Sequence, residues 1–138
     1  MARKAFVAGA TKRISHPDDK DNPTIYIIQA LPYRVTNWIR DNAFTTLPGI
    51  GSHFHAGRTA QMNLQAGLLG IENLLGPDGK AVEIKTTTID LAGGGKHTCV
   101  DPTALDLLTM EDAAWLSDQI IHFSTATEEE VKKSDAPS

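Results

Sequence analysis

Thr24-Ile25-Tyr26-Ile27-Ile28-Gln29-Ala30-Leu31-Pro32-Tyr33-Arg34-Val35-Thr36-Asn37-Trp38-Ile39-Arg40-Asp41-Asn42-Ala43-Phe44 holds both kinds of regular structure in one short span. Thr24 to Leu31 is rich in β-branched and aromatic residues and apolar at both parities, the pattern of a strand covered on both faces. Pro32 suits the first turn of a helix, where its missing N–H is not needed, and Val35, Trp38, Ile39 and Ala43 follow at helical spacing. A strand passing straight into a helix predicts an α+β fold: a small antiparallel sheet packed with three main helices.

Upstream, Ala5 to Ala10 is apolar and reads as a partner strand for Thr24–Leu31. The polar stretch Lys12 to Asn22, with Pro17 and Pro23 around a charge cluster, reads as the loop joining the two. Downstream, Thr45 to Gly57 holds Pro48, Gly49, Gly51 and Gly57 around Ser52-His53-Phe54-His55, a composition for an irregular exposed loop. From Arg58 to Leu75, Ala60, Leu64, Leu68, Ile71 and Leu75 fall on one helical face and predict the second helix. Gly67 and Gly70 interrupt it, so the helix bends or stops near Gly67, or packs closely there against another segment.

Gly76-Pro77-Asp78-Gly79 is a turn, and the alternation from Val82 to Ile89 reads as a strand ended by Gly93-Gly94-Gly95, with a loop to Asp101-Pro102. Thr109, with Asp112 three residues on, opens the third helix as a weak form of the capping box. Ala113, Leu116, Ile120 and Phe123 form its main stripe, while Met110, Ala114, Trp115 and Ile121 lie off it. A helix apolar around so much of its circumference is either deep in the core or presents a second face to a partner. Residues 1–124 are thus expected to form one domain, followed by a charged tail over 125–138. In that tail Glu128–Lys132 and Glu129–Lys133 support at most a frayed helical extension, and it is expected to be mobile.

The 138 residues carry 13 Lys and Arg against 17 Asp and Glu, a formal charge of -4, with 41% apolar residues. This length supports one core without disulfides, and the single Cys99 rules out an intramolecular disulfide framework. No apolar run approaches the ~20 residues of a membrane span, and no leader pattern is visible. A mildly acidic total argues against a basic face for nucleic acid.

The chain offers no expected catalytic, cofactor-binding or metal-binding residues. Gly93 to Thr98 has the glycines and lysine of a phosphate loop but the wrong spacing, with Asp90 and His97 where a Gly and a Ser or Thr belong. His53 and His55 could face the same way on an extended segment, yet a metal site would need His16, His97 or His122 brought in by the fold. Cys99 near His97 reads as a small half-buried thiol rather than a nucleophile. Asp18, Asp19 and Asp21, with Lys20 between, lack the calcium-loop pattern.

The run Ala66-Gly67-Leu68-Leu69-Gly70-Ile71-Glu72-Asn73-Leu74-Leu75-Gly76-Pro77-Asp78-Gly79-Lys80-Ala81-Val82-Glu83-Ile84 resembles a segment of small morphogenesis proteins of tailed bacteriophages, notably tail assembly chaperones. Tyr26 to Pro32 is similar to their opening strand and helix start. Leu108 to Ala113 and Leu116 to Ser124 are similar to their closing helix. Together these pieces, 41 of the 138 residues, are spread between Tyr26 and Ser124. The Thr86–Cys99 insert and the His-Phe-His loop depart from the layout.

The resemblance implies a non-enzymatic role in the host cytoplasm, binding tape-measure or tail-tube protein during assembly, without cofactors, nucleic acid or membrane. Self-association into a homo-oligomer is compatible with it. The alternative is a small structural subunit of the tail, baseplate or head–tail joint, touching neighbouring virion subunits; a metal-binding protein using His53 and His55 stands further off. Trp38, Met110, Trp115 and Ile121 are the candidate partner-binding residues.

Overall fold

In the computed structural model, which describes residues 3–7 and 9–135, the apolar run before Pro32 forms a strand over Ile25–Gln29, the centre of a three-stranded antiparallel sheet. Tyr26 and Ile28 face the core at 4% and 1% exposure, while Ile25 and Ile27 are half-covered on the other side. Helix α1, Tyr33–Ala43, follows directly and buries Val35, Ile39 and Ala43. The chain is α+β, with antiparallel strands and three α-helices, as its opening stretch predicts.

The partner strand is not Ala5–Ala10. Strand β1 spans Thr11–Ile14, inside the stretch expected as loop, and pairs with β2 (Ile25–Gln29) from Thr11 opposite Gln29 to Ile14 opposite Tyr26. An edge strand has a face and an edge in water, so Lys12 and Arg13 fit it without cost. Arg13 reaches over β2 to form a two-pronged ion pair with Glu72, both N–O distances 2.6 Å. Ala10 contributes only a carbonyl, accepting from the Ala30 N–H at 3.0 Å.

The loop expected over Thr45–Gly57 is an antiparallel hairpin, β3 (Phe44–Leu47) and β4 (Gly51–Phe54), and helix α2 (Ala56–Gly67) begins within it. Pro48 and Gly49, read as signs of irregularity, instead make the reversal, with Gly49 at φ +77°. Phe44 and Phe54 meet across the pair, their rings tilted with centroids 5.2 Å apart.

Of the helix expected over Arg58–Leu75, the part before Gly67 forms and the stop falls at Gly67, one of the outcomes its glycines predict; beyond it, Leu68–Glu72 is strand β5, paired with β2. Leu68 and Ile71, three residues apart, both face the core at 0% and 7% exposure. A regular strand would send them to opposite faces. A bulge shifts the register between the Ile27–Gly70 and Ile28–Leu68 pairs, and the extra residue, Leu69, turns both inward. A three-residue spacing that reads as helical is thus met by a bulged strand.

The Gly76–Gly79 turn forms as expected, with Gly79 at φ +77° and its N–H donating to the Gly76 carbonyl at 2.9 Å. The strand expected from Val82 begins only at Thr86. It is β6, Thr86–Asp90, and the stretch expected as loop up to Asp101 contains its antiparallel partner β7, Lys96–Val100. Between them Gly93, Gly94 and Gly95 all have φ above +80°, a run that only glycine tolerates. From α1 the Arg34 guanidinium donates to the Ala92 and Gly94 carbonyls of this turn.

A 3-10 helix, Pro102–Leu107, leads to the long helix α3, Met110–Asp135. Thr109 caps α3, its hydroxyl accepting from the Asp112 N–H at 3.1 Å. Leu116 and Ile120, both 0% exposed, enter the core with Val35, Leu64, Ala66, Leu68 and Val100. The helix crosses the boundary expected at residue 124 without a break. Ser124 Oγ accepts from the Leu31 N–H at 2.9 Å, and Thr127 is buried beyond it. The helical extension therefore reaches Asp135; residues 136–138 of the expected tail lie outside the described residues.

Candidate functional site

Helix α3 has a second apolar line besides its core stripe. Met110, Ala113, Ala114, Ser117 and Ile121 follow at steps of three, one, three and four, so they share one face. This face turns toward α2 and the 3-10 helix without filling the space between them. The result is a groove of about 630 Å³ lined by Ala60, Gln61, Asn63 and Leu64 of α2, Pro102, Leu105 and Asp106 of the 3-10 helix, and the Met110–Ile121 line of α3 with Asp118.

Local sequence sets each wall. Asp101 opens the 3-10 helix, accepting from the Thr103 N–H at 3.0 Å and the Thr103 hydroxyl at 2.7 Å, and these bonds hold its carboxyl below the ordinary range. That cap, with Pro102 next to it, fixes the turn carrying Leu105 and Asp106. On α3 the residues along the middle of the groove are small, and the large side chains stand at its ends. Met110 is 92% exposed and Ile121 49%. Among the described residues lining the groove, the only charged ones are Asp106 and Asp118.

The candidate residues separate. Met110 and Ile121 meet on the groove. Trp115 turns to another flank of α3, its ring centroid 5.8 Å from Tyr26 in an edge-on contact and 4.9 Å from His16. It is half-buried against the core and pins the 15–23 loop onto the sheet. Trp38 also packs against the core, from α1. The two tryptophans are thus largely structural. The opposite wall has no distinguishing sequence signal: Ala60 and Leu64 fall on the apolar stripe of α2, and Leu105 and Asp106 stand in a proline-led turn.

His53 and His55 are brought together, rings edge to face at 4.7 Å. His55 Nε2 and Thr45 Oγ1 lie 2.6 Å apart, and lost solvation, then Arg58 and His53, push its pKa down. Among the described residues no group of three or more His, Cys, Asp or Glu could hold a metal. Cys99 is fully buried, and burial pushes its thiol up to about 11, so it is protonated at neutral pH. His97 Nε2 donates to the Ala66 carbonyl at 2.8 Å. Gln29, buried in the sheet, donates to the Ala66 and Thr98 carbonyls at 3.0 and 2.8 Å. These bonds fasten β7 to the α2–β5 junction and so hold α2 at the angle that forms the groove.

No helix among the described residues is long and apolar enough to cross a membrane. No protein-family model matches the chain, and comparisons with curated proteins and with solved structures give no match.

Proposed function

We propose that this chain is a non-enzymatic morphogenesis protein of a tailed bacteriophage, a tail assembly chaperone that holds tape-measure or tail-tube protein in the host cytoplasm. The observation that carries this reading is the convergence of Met110 and Ile121, both apolar and exposed, on an unfilled groove between α2 and α3. Groove recognition of a partner helix needs such a surface: large anchors at the ends and small residues between them, so that a second backbone can come close. Full burial of the two anchors is worth about 2–4 kcal/mol before the costs of association. That suits a reversible hold better than a permanent joint.

The test is co-expression with tape-measure and tail-tube proteins of tailed phages, followed by affinity capture and analysis of purified particles. The chaperone reading expects capture by the wild-type protein, loss of capture for Met110→Glu/Ile121→Asp with an unchanged circular dichroism spectrum, and absence from finished particles. Stoichiometric presence in particles would replace it with the second reading, a structural subunit of the tail, baseplate or head–tail joint. One observation favours that alternative: the β3–β4 hairpin holds Phe44, Leu47, Ile50 and Phe54 at 43–81% exposure. A lone two-stranded ribbon is marginal in water and gains from being covered.

A further inference from the structure

We infer that the α2–α3 groove selects a cationic amphipathic helix, one whose apolar stripe is flanked by Lys or Arg. The inference rests on the reading of this groove as a docking site and adds the chemistry of its occupant.

Three features of the groove carry it. From Met110 to Ile121 the apolar line rises about 16 Å, three helical turns, so an occupant lying along it engages a helical stripe of the same length. Ala60, Ala113, Ala114 and Ser117 bring little bulk to the middle, where the occupant's backbone approaches, and Met110 and Ile121 bracket it. The charge is one-sided. Asp106 and Asp118 stand on different walls, each exposed and without an ion pair or hydrogen bond among the described residues, and no lining residue there is cationic.

An occupant bearing Glu or Asp beside its stripe meets two unpaired carboxylates as it leaves water. One bearing Lys or Arg supplies both counter-charges at the rim, where such pairs set partner choice more than raw affinity. The chain's net charge of -4 adds a weak, salt-screened attraction of the same sign.

The experiment uses the whole protein and two labelled helical peptides of equal length and identical leucine stripe, one flanked by lysine and the other by glutamate, read by fluorescence anisotropy. The lysine peptide is expected to bind one to one, about tenfold or more tighter than the glutamate peptide at low salt, with a preference that shrinks as salt rises. Asp106→Asn/Asp118→Asn is expected to weaken lysine-peptide binding about five- to tenfold and bring the two peptides close together. Glu83→Gln/Asp41→Asn, exposed acids away from the groove, makes the same change in net charge and leaves the preference in place.

Equal binding of both peptides by the wild-type protein, an equal loss of preference in the remote variant, or undiminished lysine-peptide binding by Ile121→Ser would overturn the inference. Capture of full-length tail proteins without any charge preference for peptides leaves the chaperone reading standing and this inference refuted. Charge-selective peptide binding without capture of any tail protein does the reverse.

Discussion

Ile120 and Ile121 are consecutive residues of one helix in opposite environments. Ile120 is 0% exposed and packs on Gly67 at the end of α2, whereas Ile121 is 49% exposed at the rim of the groove. The same two helices touch closely along one line and stand apart along another. Every apolar residue on the first line has a packed neighbour, so its chemistry is used up in stability. On the second line Ala113 still touches the core, but Met110 and Ile121 stand exposed, and their chemistry is left for something outside the chain. An aspartate at each position is the strongest way to break the comparison. Ile120→Asp would bury a charge among Leu68, Leu116 and Val100 and is expected to cost more than about 4 kcal/mol, enough to unfold a small domain. A cooperative denaturation curve close to wild type would mean that the α2–α3 contact is not as tight as described.

How far this contrast was legible in the sequence depends on whether a local pattern had one meaning or two. Ile25–Gln29 and α1 were plain, because β-branched density before a proline and a helical stripe after it have no competing explanation. Leu68 and Ile71 had two: a spacing of three is ordinary for a helix, and only pairing with β2, through a bulge at Leu69, makes it a strand. The same holds for Pro48 and Gly49, which mark a reversal or a disordered loop until Phe44 is seen facing Phe54. For the groove, the off-stripe positions of Met110 and Ile121 were visible as a second face. Trp115 looked equally available, and only the fold brings Tyr26 and His16 against it. The far wall of the groove depends on the angle of α2, which is held by Gln29 and His97 across elements distant in sequence.

Gly67 sharpens the closed side of the comparison. A Cβ there would fall inside the van der Waals envelope of Ile120 Cγ2, with Cδ1 at 2.8 Å and Cγ1 at 2.9 Å. Gly67→Ala is therefore expected to destabilise by about 1–3 kcal/mol through overpacking, despite alanine's better helix propensity. Ile120→Ala, which removes Cγ1, Cγ2 and Cδ1 together, should make Gly67→Ala far less costly in its background, and a double-mutant cycle by urea unfolding measures the coupling. If Gly67→Ala were neutral or stabilising, the glycine would be only a helix terminator.

Cys99, fully buried on β7, offers a probe of how well the interior is sealed. Its pKa in the fold is about 11 against an ordinary 9.0, so the unfolded chain ionises first. The stability tied to the neutral thiol is complete below pH 9 and falls as pH rises from about 9 to 11, by up to roughly 2 kcal/mol. Cys99→Ala should flatten this alkaline limb in chemical denaturation measured across that window. An unchanged slope would mean that water reaches Cys99 on β7.

The smallest effect on the fold is expected on the open side, and it is the most informative. Ile121 is half in water already, so Ile121→Asp loses only part of one side chain's burial and adds a charge that remains solvated; the change in stability should be about 1 kcal/mol, well below that at Ile120. The same substitution adds a third carboxylate to a groove that already carries Asp106 and Asp118, and replaces its largest anchor on that end. Thermal unfolding should therefore shift only modestly while capture of a helical partner is lost, the opposite of Ile120→Asp one residue earlier. A loss of stability comparable to that at Ile120 would mean that Ile121 also belongs to the core, and that the space between α2 and α3 is a packing fault rather than a docking site.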